Sequence, residues 1–524
     1  MHRCLLVPEI IRLITEEMSS FESEVFSDGS YFLGEWPISL PQDERASFAA
    51  LARVCKVFYE PAMDALWKNL DSLDRVLRQV SGVIHAAPAD STGTLTGPSA
   101  RFFENAKRVQ SVYVYQRPGA VDQLRELKLR HPCMPVLFPN LRKLTVYRLS
   151  PELASFLPWF IGPTLERLGT LSCLDANFYT TTLAQIAQVA PRFQELCHFA
   201  GVPEKACSIH SAFRHLTVFR CTSGITRDGL LRLSRLPALR TLKLSTMPHI
   251  APDSLGANSF PSLVEVAIAP GHAATDISSV SLLMRSISSP ALKSACVDTA
   301  HSSWEPSARS VNDLLHAVSK HTSLTELSIV APEYRAFHGE PLPISTLFGH
   351  SALEYLRLAL PGILVTPDDI SRMGTAWPRL HTFEMRRQRG GMPLGTTTFK
   401  FGVLALFALH MPRLSHLAID VETVSQAELD LPGVCCTNPI LLSLDHNNLE
   451  ESDGFKIAAY IDAVYPKASI DTDVVSLELE VAKLMPEAAF SASKAWLRIS
   501  DEYLPLLARV REHERMRAEA ARVA

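Results

Sequence analysis

The nine residues FPNLRKLTV, Phe138 to Val146, hold three apolar side chains, Leu141, Leu144 and Val146, spaced by two residues and then by one. The phrase returns along the chain. It reads FRHLTV at Phe213-Leu216-Val218, PALRTLKL at Leu239-Leu242-Leu244, PSLVEVAI at Leu263-Val266-Ile268 and TSLTELSI at Leu324-Leu327-Ile329. Further copies are SALEYLRL at Leu353-Leu356-Leu358, PRLHTFEM at Leu380-Phe383-Met385 and PRLSHLAI at Leu414-Leu417-Ile419. Weaker copies stand at Val109-Val112-Val114, Leu165-Leu168-Thr170, Phe193-Leu196 and Leu292-Ala295-Val297. From Leu141 to Leu414 the first positions advance by 24, 28, 20, 26, 24, 29, 32, 29, 27 and 34 residues. A recurrence of this length marks a solenoid, in which each unit buries its apolar edge only against its neighbours. An ordinary α/β domain would not begin so many strands alike.

The last two apolar positions of each phrase are one residue apart and therefore share one face of a strand. Such a strand is too short to stand alone, so parallel stacking has to build a common apolar ridge, with the intervening residues returning outside it as helices or irregular turns. ITRDGLLRLSRL shows the best-formed return, with Leu230, Leu231, Leu233 and Leu236 at roughly helical spacing. The phrase resembles that of the leucine-rich-repeat family, L-x-x-L-x-L-x-x-N/C-x-L. The resemblance implies an α/β solenoid with parallel strands on a concave face and helices or irregular turns outside. Three copies carry the family's polar position, at Cys173, Cys221 and Asn447, whereas Met247, Pro332 and Gln388 stand there in others. The repeats are therefore expected to be irregular.

Composition narrows the function. The chain has 524 residues, 47% hydrophobic and 20% charged, with a formal net charge of -4. That is a globular balance with room for several domains or one long array, and it gives no electrostatic footprint for nucleic acid or an anionic membrane. The opening MHRCLLVPEIIRLITEEMSS is interrupted by Glu9, Arg12, Glu16 and Glu17, so it is not read as a secretory signal. No apolar run reaches the roughly 18 residues of a membrane span. The 10 cysteines show no C-x-x-C spacing. They read as reduced, small apolar residues of a cytoplasmic or nuclear protein.

Before the repeats lie two helical blocks. Leu5, Leu6, Ile10, Leu13 and Ile14 share one side of the first, and Ala50, Leu51, Val54, Cys55 and Phe58, then Ala62, Leu66 and Trp67, line the second. The two blocks resemble an F-box, the helical module that docks on a Skp-type adaptor of a cullin–RING ubiquitin ligase, and in particular the F-box proteins of mushroom-forming fungi. The matching residues are Val7-Pro8 and Ile14, then Val54-Cys55-Lys56, Phe58, Ala62, Asp64 and Leu66-Trp67. Glu9 stands one place early, the gap from Asp64 to Leu66-Trp67 is one residue short, and the first loop is long. On this resemblance Val7, Pro8, Ile10, Ile14, Val54, Cys55, Phe58, Leu66 and Trp67 would dock the adaptor. The other reading is a cap on the first repeat, since arrays need closed ends. A cap would bury Trp67 against residues 102–115, and a docking module would present it.

The expected organisation is a helical module over 1–72, a helix and Gly/Pro/Ser/Thr-rich linker over 73–101, the repeat array over 102–465, and a C-terminal cap with a charged helix over 466–524. No nucleophile elbow, P-loop, H-E-x-x-H or dinucleotide fingerprint occurs. Cys197, His198, Cys207, His210, His215 and Cys221 crowd together but lack zinc-knuckle spacing, so no metal is expected. The adjacent Cys435-Cys436 reads as part of a loop, and the 18 histidines read as surface residues. No cofactor is called for. Residues alternating with the buried pair of each strand should project from the concave sheet: Lys143, Tyr147, Lys243, Glu326, Tyr355, Arg357, Glu384, Arg386, His416 and Asp420. Mixed charge with aromatics suits protein recognition. The expected function is a non-catalytic substrate-recognition adaptor of a Skp–cullin–F-box ubiquitin ligase, with a repeat scaffold lacking any ligase link as the alternative.

Overall fold

Each repeat opens on a turn whose geometry is written into the residues before the first leucine. In FPNL, GPTL, FPSL, WPRL and MPRL a proline sits second, where its fixed φ suits the first corner of a type I turn. The turns close by backbone bonds from the first apolar N–H to the carbonyl three residues earlier: Leu141 to Phe138 (3.1 Å), Leu165 to Gly162 (3.2 Å), Leu380 to Trp377 (3.1 Å) and Leu414 to Met411 (3.1 Å). The strand follows at once.

The computed structural model describes residues 13, 42–78, 98–115, 119–132, 134–147, 150–170, 176–198, 213–222, 224–251, 255–256, 258–268, 277–299, 307–331, 342–360, 362–385, 399–421, 433–445, 454–471 and 496–523. The chain divides into two compact units, residues 1–263 with 286–289 and residues 264–285 with 290–524. In the first, helices α1 (Gln42–Val54) and α2 (Lys56–Lys68) lead into β1 (Asn69–Leu70). Then come α3 (Pro98–Arg108), β2 (Ser111–Tyr115), α4 (Ala120–Arg130), β3 (Lys143–Tyr147), β4 (Arg167–Thr170), α5 (Ala176–Val189), β5 (Glu195–His198), β6 (Val218–Cys221), α6 (Arg227–Leu233) and β7 (Thr241–Leu244). Successive strands pair in parallel.

The second unit repeats the scheme. It contains β8 (Glu265–Ile268), α7 (Ile277–Ser286), β9 (Ser294–Asp298), α8 (Ala308–Val318), β10 (Glu326–Val330), β11 (Tyr355–Ala359) and α9 (Pro367–Ala376). It continues through β12 (Thr382–Met385), α10 (Val403–His410), β13 (His416–Asp420), β14 (Ile440–Asp445), α11 (Gly454–Val464) and β15 (Ala468–Ile470) to the terminal helix α12 (Leu504–Val523). These strands too pair in parallel with their sequential neighbours. A leucine-rich-repeat α/β fold results, with the strands carrying the apolar columns. Leu144, Leu168, Leu196, Phe219 and Leu242 form one in the first unit, and Leu327, Leu356, Phe383, Leu417 and Leu442 one in the second; each is at most 1% exposed.

Three expectations are corrected. Phe213 is not the first apolar position of its repeat but its turn residue: Leu216 N–H bonds Phe213 O at 3.1 Å, and Phe219 and Cys221 pair with Leu242 and Leu244. The repeat is therefore Leu216-Phe219-Cys221, and Cys221, fully buried, is its third apolar residue rather than its polar one. With this register the steps of 20 and 26 from Phe193 through to Leu239 become 23 and 23. Strand pairing also begins earlier and ends later than read, at Asn69 and Ile470. Lastly, two histidines are interior: His321 is 7% and His350 0% exposed.

Those histidines stand at the first position of their turns and reach past the helical segment just before them to the end of the one before that. His321 Nε2 donates to Met284 O at 2.9 Å. His350 places Nδ1 2.9 Å from Leu347 O and Nε2 3.3 Å from Val318 O. Trp377, in the equivalent place, donates Nε1–H to Leu347 O at 3.1 Å. Carbonyls at helix ends lack intrahelical partners, and a ring N–H satisfies them across the repeat boundary.

Two outcomes follow from this packing. Gly374 of α9 lies so close to α10 that a Cβ there would meet His410 O at 2.1 Å. Gly374→Ala should therefore lower stability by about 1–3 kcal/mol, read as a shifted denaturant midpoint. Burial lowers the pKa of His321 from 6.5, outweighing its bond to Met284 O, and burial lowers that of His131 too. Both favour the neutral ring in the fold, so their contribution is complete above pH 6.5, the unfolded value, and is lost as pH falls below it. The thermal midpoint should drop on acidification through this range, and less steeply in His321→Asn.

Candidate interaction surface

Side chains on either side of each buried strand residue point away from the core, and parallel register sets them in rows. In the first unit the rows contain Tyr113 and Tyr115 on β2, Lys143, Thr145 and Tyr147 on β3, Arg167 and Gly169 on β4, Glu195 and Cys197 on β5, Arg220 on β6 and Lys243 on β7. Tyr113 stacks on Tyr147 with ring centres 6.3 Å apart and meets Tyr115 at 5.7 Å. Burial, aided by Tyr147, raises the Tyr113 hydroxyl above its ordinary value. Arg167 Nε and Arg220 Nη2 share one carboxylate oxygen, Glu195 Oε1, at 3.6 and 3.8 Å. Cys197 Sγ lies 3.6 Å from the same oxygen, and burial together with that carboxylate pushes its thiol up to about 12.

In the second unit Glu384 is the hub. Tyr355 donates its hydroxyl to Glu384 Oε1 at 3.2 Å, Arg357 Nε stands 3.5 Å from Oε2, and His416 Nδ1 stands 3.8 Å from Oε1. His416 Nε2 is 3.4 Å from Ser443 Oγ, which donates to Asp471 Oδ2 at 2.6 Å. The line crosses β11 to β14 and ends just after β15. Its Ser443-His416-Glu384 order has the sequence of a nucleophilic triad but not its chemistry. The serine hydrogen is committed to Asp471, and Ser443 is 2% exposed, closed to a substrate.

Of the residues expected on the open face, Lys143 is exposed, while Tyr147, Lys243, Tyr355, Arg357, Glu384 and His416 are half-buried. Glu326 is exposed. Asp420 departs from expectation: it is 6% exposed, as the last residue of β13. Arg386 lies outside the described residues, as do Val7, Pro8, Ile10, Ile14, Cys173, Cys207, His210 and Asn447. The sequence reading missed Arg167, Glu195 and Arg220; the first two sit on weak copies, and the third was hidden by the slipped register at Phe213. No group of three or more His, Cys, Asp or Glu among the described residues could hold a metal ion, and no described helix is long and apolar enough to cross a membrane.

The helix pair α1–α2 has its own small core of Phe48 and Ala62 with Leu51, Ala52, Ala65 and Leu66 around it. Phe58 and Trp67 are each 9% exposed, whereas Val54 is 60% and Tyr59 44% exposed; Cys55 and Leu66 are half-buried. Arg108 of α3 pairs with Glu60 and Asp64 of α2, and Arg45 of α1 with Asp71 at 2.8 Å. Separately, a cleft of about 700 Å³ beside α6 is lined by Arg214, Asp228, Leu231, Arg232, Arg235, Leu236 and Pro237.

Alkylation with iodoacetamide at neutral pH should spare Cys197, whose thiol burial keeps protonated, and mark the exposed Cys435. Mass spectrometry of the folded chain reads the difference, and unfolding should erase it.

No protein-family model and no curated protein matches the chain. Among solved structures it is similar to an LRR protein of Leptospira interrogans, at 14% identity over 74% of this chain and 97% of that one, TM-score 0.35. An internalin from Listeria monocytogenes matches at 14% identity over 60% and 88%, TM-score 0.30. The mouse RP105/MD-1 complex matches at 10% identity over 72% and 74%, TM-score 0.32. These likenesses bear on neither partner nor chemistry.

Proposed function

We propose that this chain is a non-catalytic binding protein whose open sheet faces hold protein partners. The observation that carries this reading is the line Tyr355, Arg357, Glu384 and His416, half-buried, mutually braced and mounted on parallel strands. Braced aromatic and arginine side chains lose little entropy on binding, which is what an interface anchor requires.

The finer reading makes the chain the substrate-recognition subunit of a Skp–cullin–F-box ubiquitin ligase, with the N-terminal helices docking a Skp-type adaptor. Its support is the resemblance of the helical blocks together with Val54 and Tyr59, which are left facing solvent. The buried Trp67 supports the alternative, a scaffold whose helices only close the array. Proximity would be the whole mechanism of such a ligase subunit: the chain raises the local concentration of substrate near chemistry done elsewhere.

The full chain and a purified Skp-type adaptor separate these readings in a pull-down. Capture that is lost in Val54→Asp and Tyr59→Asp, with unchanged circular dichroism, is the result expected of the ligase subunit. Failure of the folded wild-type chain to capture the adaptor removes the ligase link and leaves the scaffold. Trp67 is unsuited to this test because its replacement would open the core.

A further inference from the structure

The open face of the first unit differs in charge from the chain that carries it. Among the described residues of β2 to β6 it presents Lys143, Arg167 and Arg220 against the carboxylate of Glu195, a balance of three to one, on a protein of net charge -4. Asp71, just after β1, is engaged by Arg45 at 2.8 Å and by Arg75 at 3.6 Å. Because Arg167 and Arg220 both lean on Glu195 Oε1, that carboxylate can offset only one of them.

Shape accompanies the charge. Thr145, Gly169 and Cys197 occupy successive positions of one row of small residues: Gly169 has no side chain and lies against Thr145, and Cys197 is fully buried beside Glu195. The tyrosine cluster Tyr113, Tyr115 and Tyr147 stands at one end of that row, and Arg220 and Lys243 stand at the other.

From these features we infer that the sheet face of β2 to β7 binds an acidic segment of a protein partner. An apolar or aromatic residue of that segment rests on the tyrosines, and its carboxylates face Arg167 and Arg220. This rests on the reading of the open faces as protein-binding and names the chemistry of one partner. A row of small residues between a ring cluster and the Arg220 guanidinium suits an extended backbone, and half-buried arginines interact with carboxylates more strongly than fully exposed ones. A nucleic acid would use the same charges and rings. The protein segment is favoured because the cations are few and are shared with Glu195, whereas a phosphate backbone is held by many.

Fluorescence anisotropy with the full chain tests the inference. The probes are a fluorescein-labelled Asp/Glu-rich dodecapeptide with a central Phe, its Lys/Arg-rich counterpart, and a dT dodecamer. The acidic peptide should bind saturably and more weakly as salt rises. Arg167→Glu should weaken it roughly tenfold or more by reversing a contacting charge, and Tyr147→Ala severalfold. Arg235→Glu at the cleft beside α6 should leave it unchanged. No saturable binding of the acidic peptide, equal binding of the basic peptide or the oligonucleotide, or indifference to Arg167→Glu overturns the inference. Should the acidic peptide fail while a protein partner still depends on Arg357 and Glu384, the open-face reading survives and this inference alone is lost.

Discussion

One backbone carbonyl per repeat holds the stack. In most repeats the residue after the first leucine offers its C=O to two successive N–H groups of the next repeat. Arg142 O accepts from Glu166 and Arg167 at 2.8 and 2.9 Å, Glu166 O from Gln194 and Glu195 at 2.8 and 3.0 Å, and Gln194 O from Thr217 and Val218 at 2.8 and 3.1 Å. In the second unit Lys293, Thr325, Glu354 and His381 do the same. Because these groups are bonded directly as the strand begins, register cannot slip by one residue without orphaning a donor and turning the apolar column outward. Each such bond contributes only about 0.5–1.5 kcal/mol net, yet together they decide which side chains form the core and which the open face.

That constraint also separates what could be read in the residues from what could not. The strands of FPNLRKLTV, SALEYLRL and PRLSHLAI were legible because apolar spacing and turn residues agree. FRHLTVFRC holds two overlapping matches, Phe213-Leu216-Val218 and Leu216-Phe219-Cys221, and spacing alone does not choose between them. The turn decides: Phe213 packs against Phe193 with ring centres 4.9 Å apart, as an apolar turn residue should. His321 and His350 were illegible for a different reason. A histidine is read as polar, and its burial depends on a carbonyl brought up by another repeat, which no local pattern contains.

The open face was legible in direction but not in detail. Alternation alone put Lys143, Tyr147, Tyr355, Arg357, Glu384 and His416 outside the core. The sharing of Glu195 by Arg167 and Arg220 depends on three strands being adjacent in register, and so does the convergence of Tyr355, Arg357 and His416 on Glu384. At the N-terminal end, the helix pair runs straight into β1 and is tied down by Arg45 and Arg108, so the module and the first repeat share one structure. The buried Trp67 and the exposed Val54 and Tyr59 belong to these same two helices.

The shared carbonyl also bears on how such a chain can change over evolutionary time. Each repeat is anchored at its turn and strand, and the return segment also sets one buried helix face against the core, as Val280 and Leu283 of α7 and Val311 and Leu314 of α8 do. With the corrected register the repeat-to-repeat step from Leu141 to Leu414 ranges from 23 to 34 residues. The entropy of closing a longer return grows only with the logarithm of its length. Insertions and deletions between a strand and the helix that follows it thus cost little, while those within the turn-and-strand phrase or the buried helix face cost more. Such connections can lengthen or shorten while the open face keeps the same scaffold.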